Sequence, residues 1–167
     1  MKDIIYLLII AKPESGKTYS LMEFIENDGI IIASDMTYAG IVEMLPSFKE
    51  GRLRTILVPD LLKMFGKGMN VSQNFITLLN EFIEEGIVNI KTYHTSLSFE
   101  QPVRGNIVAC ITSTDFFNQK RYWGRVGFIT RVIPFSYSYS TGDVEKIFKH
   151  IIENKSNVEM QKLKKMK

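Results

Sequence analysis

The chain has 167 residues, 45% of them hydrophobic and 23% charged, with a net charge of +3. That length suits one domain with a proper core, and the composition excludes a disordered chain. The charge is too small to demand a polyanionic partner by itself, and no apolar stretch is long enough to span a membrane.

Ile4 to Ile10 is a continuous apolar run, as expected of a strand covered on both faces. It resembles a signal peptide only superficially. The run is short, lacks a small-residue cleavage site and leads directly into the next motif. That motif is Ala11-Lys12-Pro13-Glu14-Ser15-Gly16-Lys17-Thr18. An amphipathic segment from about Lys17 to Asn27 follows, with Leu21, Phe24 and Ile25 on its inward stripe. The order strand, loop, helix around Gly-Lys-Thr is that of a P-loop. Such a loop turns successive backbone N–H groups toward a phosphate chain. Lys17 is then expected to reach the β- and γ-phosphates of ATP, and Thr18 to ligate Mg²⁺.

Gly29 to Ala33 is a second short strand. Asp35, just beyond it, reads as a helix-starting residue, with a ligand position at the strand's carboxyl end as the alternative. Thr37 to Leu45 is expected to be helical and to stop at Pro46. Thr55-Ile56-Leu57-Val58 is the third strand. It closes on Pro59-Asp60, a Walker B arrangement in which the aspartate supports the metal. Phe65 to Val71, with Gly66 and Gly68, reads as a loop. Ser72 to Glu85 is the clearest helix, with Phe75, Leu78, Leu79, Phe82 and Ile83 at helical spacing and Gly86 as its stop. Ile87 to Lys91 and Thr92 to Phe99 suggest a small hairpin.

Asn106 to Thr112 is the fourth buried strand, ending in the polar cluster Thr112-Ser113-Thr114-Asp115. The helix Asp115 to Tyr122 follows. Val132 to Tyr139 is the fifth strand. Its alternation and Pro134 mark an edge. Thr141 is expected to cap a last helix whose inner stripe is Val144, Ile147, Phe148, Ile151 and Ile152. Beyond it lies a lysine-rich stretch, Lys155, Lys162, Lys164, Lys165 and Lys167. It reads as a solvated terminus, with nucleic-acid contact as the alternative. The single cysteine, Cys110, reads as a buried small hydrophobe and fits a reducing, cytoplasmic setting. His94 and His150 lie on different elements and suggest no zinc site. Strands alternating with helices predict an α/β fold with a five-stranded, mostly parallel sheet, helices on both faces and a hairpin insertion.

Taken together, residues 4 to 135 resemble the AAA+ ATPases. The loop 11–18 is similar to the Gly-x-Pro-Gly-x-Gly-Lys-[Ser/Thr] loops of that family, with Ala11 and Glu14 in place of two glycines. Leu57-Val58-Pro59-Asp60 looks like its Walker B strand. Leu78-Leu79-Asn80-Glu81-Phe82-Ile83-Glu84-Glu85-Gly86, leading into a hairpin, resembles the branch of the minichromosome-maintenance helicases and the bacterial enhancer-binding activators. Val108 to Ser113 looks like the sensor 1 strand, and Gly127-Phe128-Ile129-Thr130-Arg131 resembles the segment carrying the arginine finger. The resemblance implies a strand order of 5-1-4-3-2 and one P-loop NTPase domain over 1–153, with 154–167 as a basic tail.

It further implies a site in which Lys17 and the loop 11–18 bind ATP, and Thr18 and Asp60 hold Mg²⁺. Ser113 (or Thr112) would contact the γ-phosphate or water. Arg131 would act in trans within a homo- or hetero-oligomer, with Arg121 and Arg125 as rivals. The function implied is an ATPase motor or loader acting on nucleic acid, with DNA as the partner. Two departures qualify it. Leu61 stands where the family has its catalytic Glu, so Glu81, Glu84 or Glu85 would have to substitute. The helical lid is reduced to one helix. A binding or assembly module with weak or no hydrolysis is therefore the alternative. A deviant Walker A ATPase of the partitioning type is a further one, suggested by Lys12 five residues before Lys17.

Overall fold

The computed structural model describes residues 4–23, 27–65, 69–91 and 95–152, without the side chains of residues 69, 70, 151 and 152. Phe24, Ile25, Gly66, Gly68, His94 and the tail 154–167 therefore lie outside the described residues. The described residues fall into two compact units, one ending at Ser136 and the other beginning at Tyr137.

The first unit is built on five parallel strands: β1 (Tyr6–Ala11), β2 (Ile30–Ile32), β3 (Thr55–Val58), β6 (Asn106–Thr112) and β7 (Ile133–Ser136). They lie in the order β2-β3-β6-β1-β7. Counting only these five strands, that is the expected order 5-1-4-3-2. A separate antiparallel pair, β4 (Ile87–Lys91) and β5 (Ser96–Val103), forms the hairpin. Its second arm runs four residues past the expected Phe99, because Phe99 and Val103 are both buried.

The helices are α1 (Lys17–Met22), α2 (Tyr38–Lys49), α3 (Leu62–Phe65), α4 (Met69–Ile83) and α5 (Ser113–Arg125). Connections between parallel strands are right-handed. Because β1 to β2 crosses the sheet one way and the later connections return the other way, α1 falls on one face and α2, α4 and α5 on the other. The core divides accordingly. Tyr6, Leu8, Ile10, Ile56, Val58, Ile107, Ala109 and Ile111 pack with the larger set of helices and the hairpin. Leu57 and Cys110 meet Leu21 of α1 in a small second cluster. On this second face of the edge strand, Ile133, opposite Leu7, is 56% exposed and Phe135, opposite Ile9, is 54% exposed.

Several elements depart from their expected bounds. Helix α2 does not stop at Pro46 but runs through it to Lys49. A proline inside a helix removes one hydrogen bond and costs about 3 kcal/mol or more. Burial of Leu45 and Phe48 on either side offsets that cost, and the last turn closes with the Glu50 N–H donating to the Pro46 carbonyl at 3.0 Å. Thr37, not Asp35, caps this helix, its hydroxyl accepting from the Gly40 N–H at 3.1 Å. The described residues of the segment expected as a loop, Phe65 to Val71, are helical: α3 ends at Phe65 and α4 begins at Met69. The Ser72 hydroxyl, donating to the Phe65 carbonyl at 2.8 Å, joins the two. Strand β7 is shorter than Val132 to Tyr139, ending at Ser136.

Tyr6 is fully buried at the start of β1, edge-on to Phe128, and its hydroxyl has no hydrogen-bond partner among the described residues. Burial alone pushes its pKa upward. An unanswered buried hydroxyl is a desolvation cost, so Tyr6→Phe is expected to stabilise the fold by about 1 kcal/mol. A urea titration should show the midpoint rising. A lower midpoint would mean that the hydroxyl is bonded in solution.

The second unit contains α6 (Thr141–Ile152), with Val144, Ile147 and Phe148 along one stripe. Its cap is Ser140, not the expected Thr141. The Ser140 hydroxyl accepts from the Asp143 N–H at 3.2 Å, while the Asp143 carboxylate accepts from the Ser140 N–H at 2.9 Å. This reciprocal pair satisfies the free amides of the first turn. The Ser140 hydrogen bonds hold the Asp143 carboxyl below its usual range.

Candidate functional site

Strand β6 lies between β1 and β3, so the three strands that end in polar motifs are neighbours. Ala11, the last residue of β1, pairs with Thr112, the last of β6. Beyond β3 the chain stays against β6, the Leu61 N–H donating to the Cys110 carbonyl at 2.9 Å. With strands about 4.8 Å apart, the loop after β1 and Asp60 after β3 sit about 10 Å from each other across Thr112. The carboxyl edge of a parallel sheet is where α/β folds collect ligands.

Two residues bend the loop. Gly16 has φ of +78° and Glu14 has φ of +59°. Glycine takes this left-handed conformation freely, while for Glu14 it costs about 1–2 kcal/mol. The side chain of Lys17 then turns back across the loop. Its ammonium donates to the Ala11 carbonyl at 3.0 Å, the Lys12 carbonyl at 2.6 Å and the Ser15 hydroxyl at 3.2 Å. Only 9% of Lys17 is exposed. The lysine thus clasps the loop's entry to its exit, with all three ammonium N–H groups donating inside the loop. Burial lowers its pKa, opposed by Cys110 and Asp60 nearby. Thr18 is exposed on the first turn of α1, and no side chain caps that turn.

Asp60 is half-buried. Its Oδ1 accepts from the Leu62 N–H at 3.1 Å, and its other oxygen has no partner among the described residues. Thr112 is committed locally: its hydroxyl donates to Asp115 Oδ2 at 2.5 Å and accepts from the Asp115 N–H at 3.1 Å, as the cap of α5. Of the two expected sensor residues, Ser113 is the one without such a tie. Leu61 is fully buried in the main core.

Arg131 lies elsewhere. It precedes Ile133, which pairs with Leu7 near the start of β1, so it sits at the opposite edge of the sheet. At about 3.3 Å per residue the loop is roughly 15–20 Å away. Its guanidinium forms an ion pair with Glu84 and donates from Nη1 to the Gly127 carbonyl at 2.7 Å. A Cβ on Gly127 would come within 2.6 Å of that Nη1, so the glycine admits the arginine. The carboxylates expected to substitute at Leu61 share this far edge. Glu84 is paired with Arg131. The Glu85 carbonyl takes two bonds from Arg104, just before β6, at 3.0 and 2.7 Å. Glu81, one turn earlier on α4, is raised in pKa by burial and by Glu85. Arg121 and Arg125 are exposed on α5.

Lys12 contributes its carbonyl to the clasp, while its side chain is exposed. The sequence reading missed two contacts. Cys110 reads as plain core, yet it lies within electrostatic reach of Lys17 and Asp60, and burial pushes its thiol up to about 11. Glu84 reads as a spare acid and is the partner of Arg131. Each contact joins residues distant in sequence, which no local spacing reveals. Among the described residues, no three His, Cys, Asp or Glu side chains group to hold a metal by themselves, and no helix is long and apolar enough to cross a membrane. No family model matches the chain, and no curated protein is detectably similar to it in sequence.

Proposed function

We propose that the chain is an ATP-binding P-loop module of the AAA+ kind, working as an oligomer on nucleic acid. The observation that carries this reading is the Lys17 clasp at the carboxyl edge, beside Asp60 and Ser113. A Gly-Lys-Thr loop whose buried ammonium can exchange its bonds to loop oxygens for bonds to phosphate suits a polyphosphate. ATP with Mg²⁺ supplies the phosphoanhydride bond and the charge that screens it. In this reading Lys17 and the amides of 11–18 bind the phosphates, and Thr18 and Asp60 take the Mg²⁺. Ser113 orients the terminal phosphate or a water. Arg131, paired with Glu84 at the far edge of the sheet, would leave that partner to serve the nucleotide of a neighbouring subunit.

The buried Leu61 favours a second reading, a module that binds nucleotide and assembles without turning it over. Leucine cannot act as a general base, and Glu84 and Glu85 sit at the far edge.

Titration with a fluorescent ATP analogue and Mg²⁺, followed by phosphate release across protein concentration, tests both. Saturable binding is expected, with specific activity rising with concentration and lost in Arg131→Ala while binding persists. Binding with no phosphate release at any concentration selects the second reading. Failure to bind ATP sinks both.

A further inference from the structure

Helix α5 presents an outward face that the site does not use. Phe117, Asn118, Lys120, Arg121, Gly124 and Arg125 are all exposed, whereas the opposite side buries Trp123. The three cations make no ion pair among the described residues, and the helix's one acid, Asp115, is bonded to Thr112. Phe117 is 62% exposed, with the neighbouring ring of Phe116 edge-on at 6.0 Å. The Lys120 ammonium lies 4.9 Å from its centroid. Gly124 has nothing within 4 Å of where a Cβ would stand, so packing within the chain does not require it. A glycine inside a helix costs about 1 kcal/mol relative to alanine.

We propose that this face binds single-stranded nucleic acid. From Phe117 to Arg125 the stripe runs about 12 Å along the helix, longer than a single phosphate needs. Arg121 and Arg125 pair with successive phosphates, and Gly124 lets the strand approach the helix backbone. Phe117, with Lys120 over it, is a stacking platform for one base. Stacking requires an unpaired base, which separates a single strand from a duplex. An acidic protein segment would satisfy the cations but leave the ring unexplained. The proposal deepens the nucleic-acid part of the reading above and does not depend on ATP.

The test is fluorescence anisotropy of a labelled oligothymidylate with the whole chain, without nucleotide, over a salt series. Binding should weaken with salt, by about 0.7 in log–log slope per phosphate engaged. Arg121→Ala with Arg125→Ala should flatten that slope by about 1–2 and weaken binding. Phe117→Ala should weaken binding about ten- to hundredfold at unchanged slope. All these positions are exposed, so circular dichroism should report an intact fold. Equal affinity for duplex, or unchanged binding in both variants, overturns the proposal. So does an arginine variant that alters only the concentration dependence of ATPase activity, which would mark a contact between copies. Loss of oligonucleotide binding with ATP binding intact sinks this inference alone; the reverse sinks only the nucleotide reading.

Discussion

Lys17→Ala is expected to weaken Mg²⁺-ATP binding at least about hundredfold, the loss of two charge-assisted hydrogen bonds at about 1.5 kcal/mol or more each. The side chain has two tasks in this geometry. Without nucleotide it ties the Ala11 and Lys12 carbonyls together, and with nucleotide it would turn those bonds to the phosphates and neutralise their charge. Alanine removes both. The fold itself should not suffer. Burial already disfavours the charged lysine, as its lowered pKa records. The unfolded chain therefore holds this proton more tightly. The cost is present below the folded-state pKa and fades as pH rises toward the ordinary lysine value. Removing the side chain relieves that cost but leaves the Ala11 and Lys12 carbonyls without this donor, so the thermal midpoint should move little while affinity collapses. Titration of a fluorescent ATP analogue into wild type and variant decides the matter. Affinity retained within a few-fold would show that the loop is not a phosphate cradle.

Trp123→Ala should be the most damaging change to the fold, at about 3–5 kcal/mol. The indole is completely buried and is the one fully enclosed side chain of α5. It lies 5.3 Å from the ring of Phe65 and 5.2 Å from that of Phe128. Those contacts join α5 to α3 and to the turn before β7. Against a typical total stability of about 5–15 kcal/mol, such a loss leaves little margin. Thermal unfolding followed by circular dichroism should show a midpoint lower by roughly 10 °C or more. Trp123→Phe should cost much less, because the indole N–H has no partner among the described residues to lose. A drop of only a degree or two in the alanine variant would mean that the helix is anchored elsewhere.

The elements legible in the sequence were those where one physical signal dominates. β1, β3 and β6 are apolar runs because both of their faces are covered or nearly so. α4 has a stripe strong enough to override everything local. The strand order followed from the family resemblance and agrees with the fold. What escaped depends on contacts between distant parts of the chain. Pro46 looks like a stop until Phe48 is seen to be buried against Phe82. Thr37 and Asp35, or Ser140 and Thr141, are equivalent caps by type, and only the backbone conformation chooses between them. At the candidate site the loop 11–18 and Asp60 announce themselves by order, whereas the Glu84–Arg131 pair and the Cys110–Lys17 proximity carry no spacing at all.

The placing of β1 has a consequence for how the protein is made. It leaves the ribosome well before both of its neighbours, β6 and β7. The hydrogen bond from the Ile5 N–H to Asn106 at the edge of this strand spans 101 residues. At synthesis rates of about 5–20 residues per second, β1 waits roughly 5–20 s for its first partner. Throughout that interval an apolar strand with two unpaired edges has nothing of its own to pair with, and it is liable to pair with the wrong chain. This interior strand is therefore the part of the nascent chain that most needs a chaperone's cover, and its late pairing makes folding slow.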